Sequence, residues 1–135
     1  MRTIKFRGKR IDNGKWIYGY LADVDKTSIG NIGIINSRPF SGVEESSMVN
    51  ADTIGQFTGV LDQRGNEIYE GDIIKTKFIK NGKSDERKSE VSFCYSEFRC
   101  DYEPELKVPL GGIARCAEVI GNIHDNPELL KGGAQ

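Results

Sequence analysis

Apolar and polar residues alternate along much of the chain with a period of two, the mark of strands that bury one face. Near the start, Ile4 and Phe6 alternate with Thr3, Lys5 and Arg7, so Ile4 and Phe6 are expected to point inward and Lys5 and Arg7 outward. Asp12-Asn13-Gly14 signals a hairpin turn, because Asn and Gly accept positive φ angles. Lys15 to Leu21 suits the return strand, with Trp16, Tyr18 and Tyr20 on one face and Ile17 and Gly19 on the other. Ile32 to Ile35 is a short apolar strand, and Arg38 to Gly42 reads as a turn. The polar, serine-rich stretch 41–52 follows, with room for one helical turn around Glu44 to Met48.

Alternation resumes at Ile54-Gly55-Gln56-Phe57-Thr58-Gly59 and reaches the turn Asp62-Gln63-Arg64-Gly65-Asn66, where Gly65 supplies a left-handed position. Ile68 and Tyr69 return, and Glu70-Gly71-Asp72 forms a tight bend before the strand of Ile73, Ile74, Thr76 and Phe78. Asn81-Gly82 opens a turn, and Lys80 to Glu90 is expected to be a solvated charged connection. Val91, Phe93 and Tyr95 alternate, as do Phe98, Cys100 and Tyr102 beyond a turn at Ser96-Glu97. Ala117 to Ile123 is the last strand. Asn126, Pro127 and Glu128 then form a helix start, closed by Lys131-Gly132. Ile54-Gly55-Gln56-Phe57 and Ile120-Gly121-Asn122-Ile123 echo each other; a glycine inside a strand marks a bend or a close crossing, and two such strands could pair centrally in a small barrel.

These elements give a mainly β fold. The polar stretch at 41–52 places a boundary between two small β-rich units, an N-terminal β-hairpin unit (1–50) and a C-terminal barrel-like unit (51–135). The second is compatible with a small SH3-like barrel and ends in a short helical turn. Sixteen glycines in 135 residues fit such a turn-rich chain.

Charge changes the picture at one place. Residues 1–15 carry Arg2, Lys5, Arg7, Lys9, Arg10 and Lys15 against Asp12 alone, an excess of +5 in a chain of net charge -1, so the rest sums to -6. Such a patch with Trp16 beside it marks a nucleic-acid or partner face, on which the aromatic row would stack bases, or it guards the edge of a strand. Edge protection and structural packing of the aromatics are the favoured readings. No apolar run approaches the ~20 residues that span a bilayer, and the basic N-terminus lacks the apolar stretch of a secretory signal, so a cytoplasmic protein without membrane contact is expected.

Chemistry is sparse. Cys94, Cys100 and Cys116 lack metal-type spacing and read as reduced thiols, although Cys94 and Cys100 could face each other across a hairpin. His124 stands alone at a turn. Glu70 and Asp72 form a carboxylate pair without further ligands in a calcium- or magnesium-binding spacing, and Asp72 is expected to accept backbone N–H groups instead. Neither catalytic residue, cofactor nor metal is assigned, and the chain is not expected to be an enzyme.

Three blocks share a wording: MRTIKFRGKRIDNGKWIYGYL at the start, TIGQFTGVLDQRGNEIYEGDIIK in the middle and EVIGNIHDNPELL near the end. Their order resembles the YopX family of bacteriophage and prophage proteins. The resemblance implies a phage-derived cytoplasmic protein of the host cell, mostly β and self-associating. The expected role is that of a non-catalytic accessory protein that binds a host or phage protein or assembles as a homo-oligomer. The alternative is a nucleic-acid-binding module using the basic N-terminal strand.

Overall fold

A computed structural model describes residues 4–23, 32–35, 46–94, 97–103 and 106–132. The chain divides into two compact units, Met1–Phe57 and Thr58–Gln135. Arg2, the turn expected at Arg38 to Gly42, the helical residues Glu44 and Glu45 and the turn residue Ser96 lie outside the described residues.

In the first unit, β1 (Phe6–Lys9) and β2 (Trp16–Asp23) form an antiparallel hairpin. Its turn is held where the Lys15 N–H donates to Asn13 Oδ1 and the Arg10 N–H to the Lys15 carbonyl, both at 2.9 Å. β3 (Ile32–Ile35) pairs with β2, and β4 (Ser46–Met48) pairs with β3. The stretch at Met48 is thus a strand, not a helical turn; a single 3-10 turn follows at Ala51–Thr53. The other edge of β1 is occupied as well, because Phe6 and Arg7 pair with Gln56 and Gly55 of β5 (Gly55–Leu61). A bridge between Arg10 and Val49 ties the hairpin to the end of β4.

In the second unit, β5 runs on into the turn at 62–66 and β6 (Glu67–Tyr69) returns beside it. Gly65 takes φ +84°, the left-handed position the sequence requires. The Asp62 carboxylate organises this turn: Oδ1 accepts the N–H groups of Arg64 (2.9 Å) and Asn66 (2.8 Å), and Oδ2 accepts that of Val119 (3.0 Å). Burial by itself would raise the pKa of Asp62, but these donors outweigh it and hold the carboxyl below its ordinary value.

β7 (Asp72–Lys80) stands between β8 (Lys83–Glu90) and β12 (Ala117–Asn122). Lys83 to Glu90, expected to be a connection, is therefore a strand in register with β7. Asn81 (φ 53°) and Gly82 (φ 76°) form the two-residue turn between them, with both central residues left-handed as a type I′ hairpin demands. A second sheet contains β9 (Ser92–Cys94), β10 (Glu97–Glu103) and β11 (Leu106–Pro109). Cys94 stands opposite Glu97, not Cys100, so the cysteine pair suggested by spacing is not formed by the register.

Ile68, Ile74, Val91, Cys100, Leu110, Ala114 and Ala117 form one buried cluster inside this unit. The SH3-like barrel is not realised. Among the described residues the second unit contains open antiparallel ladders, with β8 at an edge where its charged residues would oppose closure. The two echoing strands do not pair with each other either: β5 pairs with β1 and β6, and β12 with β7. Gly121 lies where the β12 register shifts and α1 (Glu128–Gly132) closes on the strand. A Cβ there would meet Asn126 Oδ1 at 2.6 Å and Leu129 Cδ1 at 2.9 Å, the close approach a mid-strand glycine permits. Among the described residues no helix is long and apolar enough to cross a membrane.

Candidate functional site: the cation–aromatic face and hollow of the first unit

Antiparallel pairing places residues that stand opposite each other on the same side of the sheet. Lys9 faces Trp16 and Arg7 faces Tyr18, so the cations of β1 and the aromatic row of β2 share one face. The Arg7 guanidinium carbon lies 4.6 Å from the centre of the Trp16 ring, and Lys9 Nζ lies 5.6 Å from it. One register step away, Lys5 Nζ sits 5.4 Å from the centre of the buried Phe57 ring. Each cation meets the negative face of an aromatic ring, an attraction that strengthens as water is excluded.

This arrangement reverses the expected polarity of β1. Arg7 is only 6% exposed, whereas Ile4 is 52% exposed. The edge-guard explanation also fails here, since β1 has strands on both sides. Arg10 is engaged locally: Nε and Nη2 donate to the two carboxylate oxygens of Asp12 at 3.0 and 2.8 Å. That bidentate contact draws the Asp12 pKa down, with both groups on the surface. Lys15 is exposed beyond the turn.

Where the hairpin turn meets the end of β4, a hollow of about 480 Å³ opens between Lys9, Arg10, Ile11, Val49, Ala51 and Thr53. Its floor is fixed by hydrogen bonds. The Lys9 N–H donates to Thr53 Oγ1 at 2.8 Å, and that hydroxyl donates to the Asn50 carbonyl at 2.6 Å. Asn50 Oδ1 caps the 3-10 turn by accepting the Asp52 N–H at 3.0 Å. The Ile11 N–H of the lining donates to the Met48 carbonyl at 3.0 Å, and both side chains reach solvent, Ile11 at 62% and Met48 at 38% exposure. Sequence alone gives no hint of this hollow, because its two walls are separated by some forty residues.

Of the two carboxylates considered for metal binding, Asp72 serves the backbone. Asp72 is buried, and its Oδ2 accepts the Tyr69 N–H at 2.7 Å, as expected for a turn-stabilising residue. The His124 N–H donates to Asn122 Oδ1 at 3.0 Å. Among the described residues, no three His, Cys, Asp or Glu side chains come together as a metal site would require. Cys100 is buried and Cys116 is exposed, both as free thiols.

The family model of the YopX protein matches residues 5–131, nearly the whole chain. The chain belongs to the YopX family. No curated protein matches this YopX-family chain. Among solved structures it is similar to the crystal structure of protein EF1440 from Enterococcus faecalis, with 26% identity and a TM-score of 0.60, over 96% of this chain and 99% of the other. The family match spans the second and third sequence blocks and the first from Lys5 onward.

Proposed function

We propose that this YopX-family chain is a phage- or prophage-encoded accessory protein that works in the host cytoplasm by binding another protein, without catalysis. The observation that carries this reading is a pair of solvent-exposed apolar residues: Ile11, which lines the hollow, and Met48, whose carbonyl accepts the Ile11 N–H. Val49 and Ala51 offer an apolar wall, while Lys9 and Arg10 bring positive charge to the same opening. A segment that inserts an apolar side chain and carries a neighbouring carboxylate matches this chemistry. Large exposed apolar groups rimmed by polar ones are a common feature of protein interaction sites.

Nucleic-acid binding through Arg2, Lys5, Arg7, Lys9, Arg10, Lys15 and Trp16 is the weaker reading. Arg7 is buried over Trp16, Lys9 approaches the same ring and Lys5 rests near Phe57. A phosphate would have to compete with those rings, and a base would have to displace the cations to stack on them.

The test is site-specific photocrosslinking from position 11 in cells carrying the prophage. One discrete adduct is expected, lost when Met48→Asp alters the exposed apolar pair while the fold is retained by circular dichroism. Absence of an adduct, or an adduct indifferent to Met48→Asp, would remove the hollow as the binding site.

A further inference from the structure

The β7–β8 hairpin carries a second concentration of positive charge, separate from the hollow. Between residues 75 and 88 there are six cations, Lys75, Lys77, Lys80, Lys83, Arg87 and Lys88, against Asp85 and Glu86. This +4 segment belongs to a chain of net charge -1, so all the rest carries -5. It is also the part of the second unit where the core ends. Ile73 and Ile74 at the base of β7 are fully buried, whereas Ile79 near the turn is 79% exposed and residues 81–86 are all exposed.

Register places cations on both faces of the ribbon. Lys75 and Lys77 share one face with Lys88 and Glu86, while Arg87 and Lys83 alternate onto the other. Among the described residues of the ribbon, Lys77 Nζ pairs with a Glu86 oxygen; this contact is 3.9 Å long and exposed, so it is readily exchanged for another anion. Edge protection of β8 accounts for charge of mixed sign. It does not account for the strong excess of one sign. β12 pairs with β7 only as far as Thr76, so Lys77 and Lys80 lie where β7 is paired with β8 alone.

We propose that this hairpin is a ribbon that enters the major groove of duplex DNA. The major groove, about 12 Å wide, admits a two-stranded β-ribbon, and strands in such a ribbon lie about 4.8 Å apart. A ribbon seated there has a phosphate wall on each flank, which is what cations on both faces suit. A flat protein surface would engage one face only. At the tip, Asn81, Ser84 and the exposed Ile79 bring an amide, a hydroxyl and an apolar group of the kinds that contact base edges and the thymine methyl. The deep, narrow major groove of duplex RNA excludes such a ribbon.

The experiment is fluorescence anisotropy of the full chain with duplex DNA, duplex RNA and poly-glutamate across a salt series. Duplex DNA should bind, and its affinity should fall about a hundredfold between roughly 50 and 200 mM salt, as for three to four neutralised phosphates. Lys77→Gln with Lys83→Gln and Lys88→Gln, all at exposed positions, should weaken binding at least tenfold, and the salt slope should become shallower by about one unit per lysine. Lys5→Gln with Lys15→Gln should stay within twofold of the parent. Circular dichroism confirms that each variant is folded. No binding at the lowest salt, equal binding of RNA or poly-glutamate, or a triple variant as competent as the parent would each overturn the proposal. So would a triple variant that only self-associates, because the charges would then be edge protection. The hollow of the first unit is untouched by these variants, so failure here leaves the protein-binding proposal standing.

Discussion

The hairpin β1–β2 and the hairpin β7–β8 are both rich in Lys and Arg, yet the fold uses the two sets of cations in opposite ways. In the first, Lys5, Arg7 and Lys9 lie over Phe57 and Trp16, and Arg7 is shut away from solvent. In the second, Lys77, Lys83 and Lys88 stand on a ribbon that has left its core behind. The difference lies in what the neighbouring strands offer. β1 is flanked by β2 and β5, which bring aromatic rings to its charged face. β8 is an edge strand, and residues 81–86 in the outer part of its hairpin are all exposed. Local charge density alone therefore does not separate a structural cation from one available to a partner.

The largest expected effect breaks the first half of that contrast. Arg7→Ala removes a desolvated cation–aromatic contact together with the packing of the side-chain stem, and should cost about 2 kcal/mol or more of stability. Denaturant unfolding followed by Trp16 fluorescence measures it. A midpoint equal to that of the parent would mean that Arg7 is not part of the fold's support.

Next comes a carboxylate held in the same structural way. The folded pKa of Asp62 lies below the ordinary 3.8. Its contribution is thus fully present above that value and is lost as pH falls through the depressed folded value. Asp62→Asn should cost about 1–3 kcal/mol near neutral pH. It should also flatten the loss of stability below about pH 4 relative to the parent. Thermal melts from pH 2 to 7 check this; parallel curves for parent and variant would contradict it. The exposed Asp12, although paired with Arg10, should show no comparable effect on stability.

The smallest effect belongs to the ribbon. Lys77→Ala should change stability by less than about 0.5 kcal/mol, since surface substitutions of this kind seldom do more. A loss as large as that for Arg7→Ala would erase the contrast between the two hairpins.

Much of the strand order was legible in the period-two pattern, and the turns at 12–14, 62–66, 70–72 and 81–82 were legible in their Gly, Asn and Asp residues. What failed depended on distant partners. Alternation divides β1 into two faces, but which residues are buried depends on Phe57 and the Trp16 row, so Arg7 is buried where alternation predicts it outward. Asp62 looked like an ordinary turn residue because one of its donors, Val119, is 57 positions away. The charges of Lys83 to Glu90 concealed a strand, since an edge strand beyond the core needs no apolar alternation. The hollow was invisible for the same reason, Ile11 of its lining being joined to Met48 by a backbone bond.

Covalent footprinting of the folded chain tests the central distinction directly. Lysine-selective and arginine-selective reagents would be applied under native conditions, and modification would be followed residue by residue with mass spectrometry. Lys77, Lys83 and Lys88 should react several-fold faster than Lys5 and Lys9. Arg7 should stay unmodified until the chain unfolds, while Arg115 reacts at once. Equal rates for the two sets of lysines, together with early modification of Arg7, would contradict the division between cations that build the fold and cations left for a partner.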